Sequence, residues 1–306
     1  MCHLIRFLKD DNGSAAVMVA LALVALIGFS ALVVDVGFLF MTRAKLMDTS
    51  DAAALAGAQE LPASTAAQAA AGEYVNKNGL DTGKFSFDPD GKTITVSAAS
   101  TVQFLFAKVL GISEGEVRAS ATARRESVTS TSGVAPIGVE DQELSKGTLY
   151  TLKVGAPPTL GAGNFGALTL GQPGANQYRE NIENGYAGIL KIGDIIETET
   201  GNISGPTAQG IDFRLSGCPH VPQCTISDHK RDCPRTIIVP VYQPQDVEEN
   251  QIKKVKIVGF AAFLIDGETS NGTDCYIRGY FIDQVIVGNS DPNQDDYGAS
   301  AVRLIQ

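Results

Sequence analysis

The feature that most limits how this chain can fold is a run of twenty uncharged residues, 15–34 (AAVMVALALVALIGFSALVV). A helix needs about 20 apolar residues to cross a bilayer core. The sequence continues to residue 61 (DVGFLFMTRAKLMDTSDAAALAGAQEL) without a proline. Its alanine, leucine and methionine content favours helix throughout. These properties predict one long helix over residues 14–61, with 15–34 in lipid and the remainder in water. Residues 1–13 are expected to be a short cytoplasmic tail, and Asn12 or Ser14 suits the helix N-cap. A cleaved signal peptide has an apolar core of about 7–15 residues followed by a small-residue site. Here the run is longer and Asp35-Val36-Gly37 is a poor site, so an uncleaved single-pass anchor is expected. A lipoprotein is excluded by order, because Cys2 precedes the apolar run.

The chain has 306 residues, room for about two domains. Its net charge is −10, which argues against a nucleic-acid partner, for which basic patches are needed. Many glycines and few aromatics suit turn-rich β structure with small cores. The reading is α+β: the transmembrane helix continues into a small α+β unit (62–126), then a linker (127–134), then a β-rich extracytoplasmic domain (135–306). In the first unit we expect a helix at 65–79, strands at 84–87 and 93–100, an amphipathic helix at 102–110 and a strand at 116–124. In the second we expect strands at 148–154, 167–170, 188–192, 236–241, 255–264 and 279–287. A helix at 177–185 is the one helical candidate there. The nearly continuous apolar runs 255–264 and 279–287 should be the central strands.

Beyond the membrane the long helix carries seven-residue rows: Phe40, Met47, Ala54 and Leu61; Leu39, Leu46 and Ala53; Arg43, Ser50 and Gly57. Such rows form a stripe on one helix face. The alanines and Gly57 make it thin, so another backbone can approach. That backbone is either the chain's own exterior domain or a partner subunit, the first being favoured. Asp35 marks the membrane exit, where charge is cheap.

The cysteines are unevenly placed. Cys218, Cys224, Cys233 and Cys275 all lie after the apolar run. They are expected to form two disulfides in an oxidising compartment, with Cys275 stapling the loop at 217–232 to later strands. This sets the orientation, because the basic residues Arg6 and Lys9 before the span balance Arg43 and Lys45 after it. Zinc binding by the cluster Cys218, His220, Cys224, His229 and Cys233 is the alternative; the wide spacings disfavour it, and a metal-dependent enzyme would use Cys218, His220, Cys224 and His229. The turn at 289–296 offers oxygens at alternate positions but lacks the glycine and glutamate of an EF-hand. Residues 111–115 (GISEG) match a nucleophile elbow, but the motif needs a strand before it and a helix after it. Residues 161–166 are glycine-rich without the lysine of a P-loop. Asn202 and Asn271 fit glycosylation acceptors. No catalytic residue, cofactor site or metal site is assigned.

Gly13-Ser-Ala-Ala-Val17, the apolar run, Asp35-Val-Gly37, Arg43, Leu46 and the block 51–58 (DAAALAGA) together resemble the TadG-like proteins of bacterial tight-adherence (Flp-type) pilus loci. The segment 93–124 resembles that family's usual continuation. Segments at 163–166, 179–182, 201–202, 205–207 and 233–235 are similar to longer members. Some members carry a von Willebrand A domain with a metal-binding D-x-S-x-S, which this chain lacks. The resemblance implies a non-enzymatic accessory or structural protein of pilus assembly, anchored in the bacterial inner membrane with its bulk outside. Its partners would be the assembly machinery or pilin-like proteins, with self-association through the helix face of Asp35, Gly37, Arg43, Leu46, Asp51, Ala54 and Gly57. The alternatives are a pilin-like filament subunit and a secreted metal-dependent enzyme. Prepilins are cut after a glycine and carry glutamate at the fifth mature position. After Gly13 that position is Met18, so the anchor is expected to be kept.

Overall fold

The computed structural model describes residues 11–79, 83–154, 165–199, 203–248, 251–270 and 275–305. Cys2, the tail to residue 10, the glycine-rich stretch 161–164, Asn202 and 271–273 lie outside the described residues. The chain divides into two compact units, Met1–Arg124 with Leu304–Gln306, and Arg125–Arg303.

The first unit begins with α1 (Asp11–Ala58). Its helical pattern stops before Leu61-Pro62, because proline lacks an N–H and disfavours helical geometry in the residue before it. A tight turn follows, with Ala63 N–H donating to Glu60 O at 3.0 Å. In α2 (Ser64–Lys77), Ala67, Ala71 and Val75 are buried. Their spacing of four places them on one face. Then come β1 (Gly83–Phe87), β2 (Thr93–Gln103), a single 3-10 turn (Ala107–Leu110) and β3 (Glu114–Thr131). β2 pairs antiparallel with β3 from Thr93↔Arg124 to Gln103↔Glu114, and with β1 through Phe87↔Ile94. Ile94, Val96 and Ala98 alternate inward along β2, as period-two patterning requires.

Two expectations for this region change. The helix at 102–110 is absent: β-branched Thr101 and Val102 extend β2, and only the 3-10 turn follows, closed by Gly111 at φ +84°. Residues 127–131 of the expected linker are the end of β3, since valine and threonine suit a pleated strand.

The second unit contains β4 (Ile137–Glu140), β5 (Leu149–Val154), β6 (Phe165–Ala167), α3 (Ala175–Asn184), β7 (Leu190–Lys191), β8 (Ile195–Glu197) and α4 (Ser204–Ser216). β9 (Thr236–Glu248), β10 (Gln251–Ser270), β11 (Cys275–Ile282), β12 (Gln284–Val285), β13 (Asn289–Asp291) and β14 (Ala299–Leu304) follow. Its principal sheet runs β5-β11-β10-β9-β4-β6, with β8 added to β10. β10 and β11 are interior strands, as their apolar runs predict. Phe263 on β10 meets Phe281 on β11 edge-on, with centroids 5.0 Å apart, a favoured aromatic geometry. Val239, Val241, Ile265 and Ile277 share that core with Tyr178 and Ile182 of α3 and Ile211 of α4.

α4 is not foreseen from sequence, because Gly205, Pro206 and Gly210 read as loop. Pro206 sits in the first turn, where a missing N–H breaks no helical bond. A Cβ at Gly210 would lie 2.7 Å from Ile182 Cγ2, so glycine lets α4 approach α3. The residue therefore marks a helix contact and not a helix break.

Candidate functional site

α1 has two faces with different fates. Every residue from 15 to 34 is exposed except half-buried Ala31, and Val24, Ile27 and Phe29 are 64–71 % exposed. It is, among the described residues, the one helix long and apolar enough to cross a membrane. Inside this stretch the Ser30 hydroxyl donates to Leu26 O at 2.8 Å, which satisfies it without water.

Further along, Leu46, Thr49, Ser50, Ala53, Ala54 and Ala58 are buried. Their spacing of three to four is one helical face. A Cβ on Gly57 would stand 2.7 Å from Ile94 Cδ1, 3.0 Å from Ala67 O and 3.2 Å from Ala71 Cβ. The thin face is thus filled by α2 and β2 of the same unit. Of the row through Phe40, Phe40 and Met47 are exposed. The proposed assembly residues therefore separate. Asp35, Leu46, Ala54 and Gly57 are buried, Gly37 and Asp51 are half-buried, and Arg43 is exposed.

Asp35 is 5 % exposed. Its carboxylate accepts the backbone N–H groups of Leu105 at 2.8 Å, Phe106 at 3.0 Å and Ala107 at 2.7 Å. These amides open the 3-10 turn, where N–H groups lack intrahelical acceptors. Asp35 therefore ties the β2–β3 connection to the helix just beyond the apolar run. Sequence placed this aspartate at an interface but not in a clamp; its donors lie about seventy residues away and carry no local signal. The connection holds Leu105 (59 % exposed), Phe106 (45 %), Val109 (88 %) and Ile112 (53 %) at the surface. Between it and the helix runs an apolar groove of about 420 Å³, lined by Val24, Ile27, Leu32, Leu39, Phe104 and Phe106 among others.

In the second unit the loop from α4 to β9 brings together Cys218, His220, Cys224 and Cys233, with all ligand atoms within 4.8 Å of one another. Cys224 Sγ lies 3.4 Å and Cys218 Sγ 3.7 Å from His220 Nδ1, and Cys233 Sγ lies 3.5 Å from Cys218 Sγ. A disulfide needs about 2.05 Å between sulfurs, and the four later cysteines are free thiols. The expected pair of disulfides is corrected accordingly. Cys275 stands outside the group: it sits on β11 opposite Val154, in the sheet core, with its thiol 3.7 Å from Glu268 Oε2. Nor is His229 one of the four. Of the five Cys and His residues that sequence placed in one cluster, the fold brings together Cys218, His220, Cys224 and Cys233.

The backbone N–H of Cys224 donates to the Cys218 sulfur and lowers that thiol to about 6; burial opposes this, and the His220 backbone and ring and the Cys233 thiol add to it. Burial pushes Cys233 and Cys275 up to about 12. Only the thiolate alkylates. We therefore expect iodoacetamide to modify Cys218 in metal-free protein with a rate rising through a midpoint near pH 6 and level above it. Cys233 and Cys275 should stay unmodified at neutral pH; peptide mass mapping across pH checks this.

Neither the curated proteins nor the solved structures contain a match to this chain. Residues 13–60 match the family described as putative Flp pilus-assembly TadE/G-like. That span is nearly coextensive with α1 and includes the Asp35 clamp and the alanine face that packs on α2 and β2. The N-terminal segment of this chain, residues 13–60, is thus similar to the TadE/G-like family.

Proposed function

We propose that this protein is a non-enzymatic, membrane-anchored accessory component of a tight-adherence pilus assembly system. The observation that carries the reading is the exposed, uncharged stretch of α1 inside a segment that matches a pilus-assembly family. A helical stretch of twenty uncharged, almost wholly exposed residues matches the thickness of a bilayer core, which would shield it from water. The segment that follows is already packed within its own unit, which supports an anchor over a pilin whose helix is buried among filament neighbours. Orientation belongs to the proposal. The argument from paired cysteines no longer applies, and the basic residues divide evenly. Placing the bulk outside the cytoplasm rests on pilus assembly taking place there.

The β2–β3 connection extends this reading. Leu105, Phe106, Val109 and Ile112 are apolar and exposed beside the helix at Asp35, with Lys108 among them. Apolar side chains with a snorkelling lysine suit the membrane–water interface. We read this connection as a foot resting in the headgroup region, with its lipid-side groove filled by acyl chain. The chain has no tryptophan, so a Val109→Trp variant has a single reporter. In vesicles its emission should be blue-shifted and quenched by brominated lipid; emission typical of water and no quenching would remove the foot from the membrane.

Deletion of the encoding gene tests the function. The expected result is loss of surface pili while pilin is still made, restored by the full-length gene and not by one lacking residues 15–34. Normal pili in the deletion strain would overturn the reading. N-terminal sequencing separates the filament alternative, which requires a mature start at Ser14.

A further inference from the structure

The structure assigns a zinc site of the Cys3His type to Cys218, His220, Cys224 and Cys233 in the loop joining α4 to β9. The first argument is metric. With zinc–sulfur bonds of about 2.3 Å and zinc–nitrogen bonds of about 2.05 Å, a tetrahedral site has sulfur–sulfur edges of about 3.8 Å and sulfur–nitrogen edges of about 3.6 Å. The observed separations are 3.5 Å between Cys218 and Cys233, and 3.4 and 3.7 Å from His220 Nδ1 to Cys224 and Cys218. These three separations are close to tetrahedral edges, all four ligand atoms lie within 4.8 Å of one another, and the sulfur–sulfur distance is far longer than a disulfide bond.

The surroundings also suit a bound metal. His220 turns Nδ1 to the sulfurs, and its other ring nitrogen, Nε2, lies 3.5 Å from Asp232 Oδ1. Metal-bound histidines characteristically offer their second nitrogen to a carboxylate, which fixes ring orientation. Arg235, buried, donates Nη1 to Cys224 O at 2.8 Å and Nε to Ile265 O at 3.0 Å. It thereby ties the loop to β10 and sets a cation beside the cluster. Three thiolates, a neutral imidazole and a divalent zinc ion sum to one negative charge, which that cation offsets. Thiolate and imidazole donors in a tetrahedron select zinc over hard ions such as calcium or magnesium.

The donor set is complete with four protein ligands, which is the composition of a structural site; a catalytic zinc keeps a position open. The loop needs such a staple. Between α4 and β9 no helix or strand organises residues 217–235, and closing a long loop gains from one clip at several points. Zinc held there would fix Cys218, next to the end of α4, against Cys233, three residues before β9. This inference is independent of the membrane reading.

The test uses full-length protein purified in detergent without chelators, measured for metal by mass spectrometry and for ligand type by X-ray absorption. We expect one zinc per chain bound by three sulfurs and one nitrogen. Cys275→Ser should keep it, and Cys224→Ser and Cys233→Ser should lose it. Asp232→Asn leaves every ligand in place and is expected to weaken zinc binding about tenfold. The wild-type absorption spectrum is a readout that needs no substitution and so does not depend on the folding of the cysteine variants. Protein without zinc after zinc is supplied, a shell lacking three sulfurs, or a mapped Cys218–Cys233 disulfide would each overturn the assignment.

Discussion

Gly57→Val is expected to destabilise the first unit by about 1–3 kcal/mol, the usual cost of forcing extra carbons into a packed site. The added Cβ alone would stand 2.7 Å from Ile94 Cδ1 and 3.0 Å from the Ala67 carbonyl oxygen. Ile94 can shift its terminal methyl, but the Ala67 carbonyl is backbone of α2 and cannot move without moving the helix. The two γ-carbons of valine then add to the collision, and β-branching restricts the rotamers that would relieve it. Gly37→Val is the matched control. It lies in the same helix, and nothing stands within 4 Å of its Cβ. Thermal unfolding of the detergent-solubilised protein, followed by proteolysis of the first unit, should show a large loss for Gly57→Val and little change for Gly37→Val. Equal behaviour would mean that this face is not packed against α2 and β2.

The second large effect is expected at Asp35. Asp35→Ala removes the acceptor of three backbone N–H groups at once. A hydrogen bond to a charged group contributes about 1.5–3 kcal/mol, and a tenfold change in an equilibrium takes about 1.4 kcal/mol. Amide exchange at Leu105, Phe106 and Ala107 is therefore expected to accelerate by at least about tenfold, while exchange in β10 is unchanged. Asp35→Asn keeps one acceptor oxygen and should fall between. Unchanged exchange at the three amides would show that the connection is held without Asp35.

What was legible in the sequence follows from how local each determinant is. α1 is a matter of twenty uncharged residues and a proline-free extension, both visible along the chain. The same holds for β10 and β11, whose apolar runs can only be interior strands. α4 was hidden because Gly210 serves a contact with Ile182, a residue on another helix, and its helix-breaking reputation concealed that purpose. The turn at 107–110 was hidden for a related reason. Its apolar residues look like the stripe of an amphipathic helix, but their backbone is organised by Asp35 and by the ladder between β2 and β3. At the cysteine cluster, sequence marked a neighbourhood of five ligand-type residues and favoured disulfides there. Choosing Cys233 over His229, and leaving Cys275 aside, required knowing that β9 begins at Thr236 and that β11 carries Cys275 into the sheet core.

The proposed function requires α1 to be a retained membrane anchor. Carbonate extraction of the cell envelope addresses this directly, because it strips peripheral proteins and leaves helices that span the bilayer. The prediction is that full-length protein, with residues 15–34 still attached, stays in the membrane pellet and is released only by detergent. Recovery of the intact chain in the carbonate supernatant would contradict it.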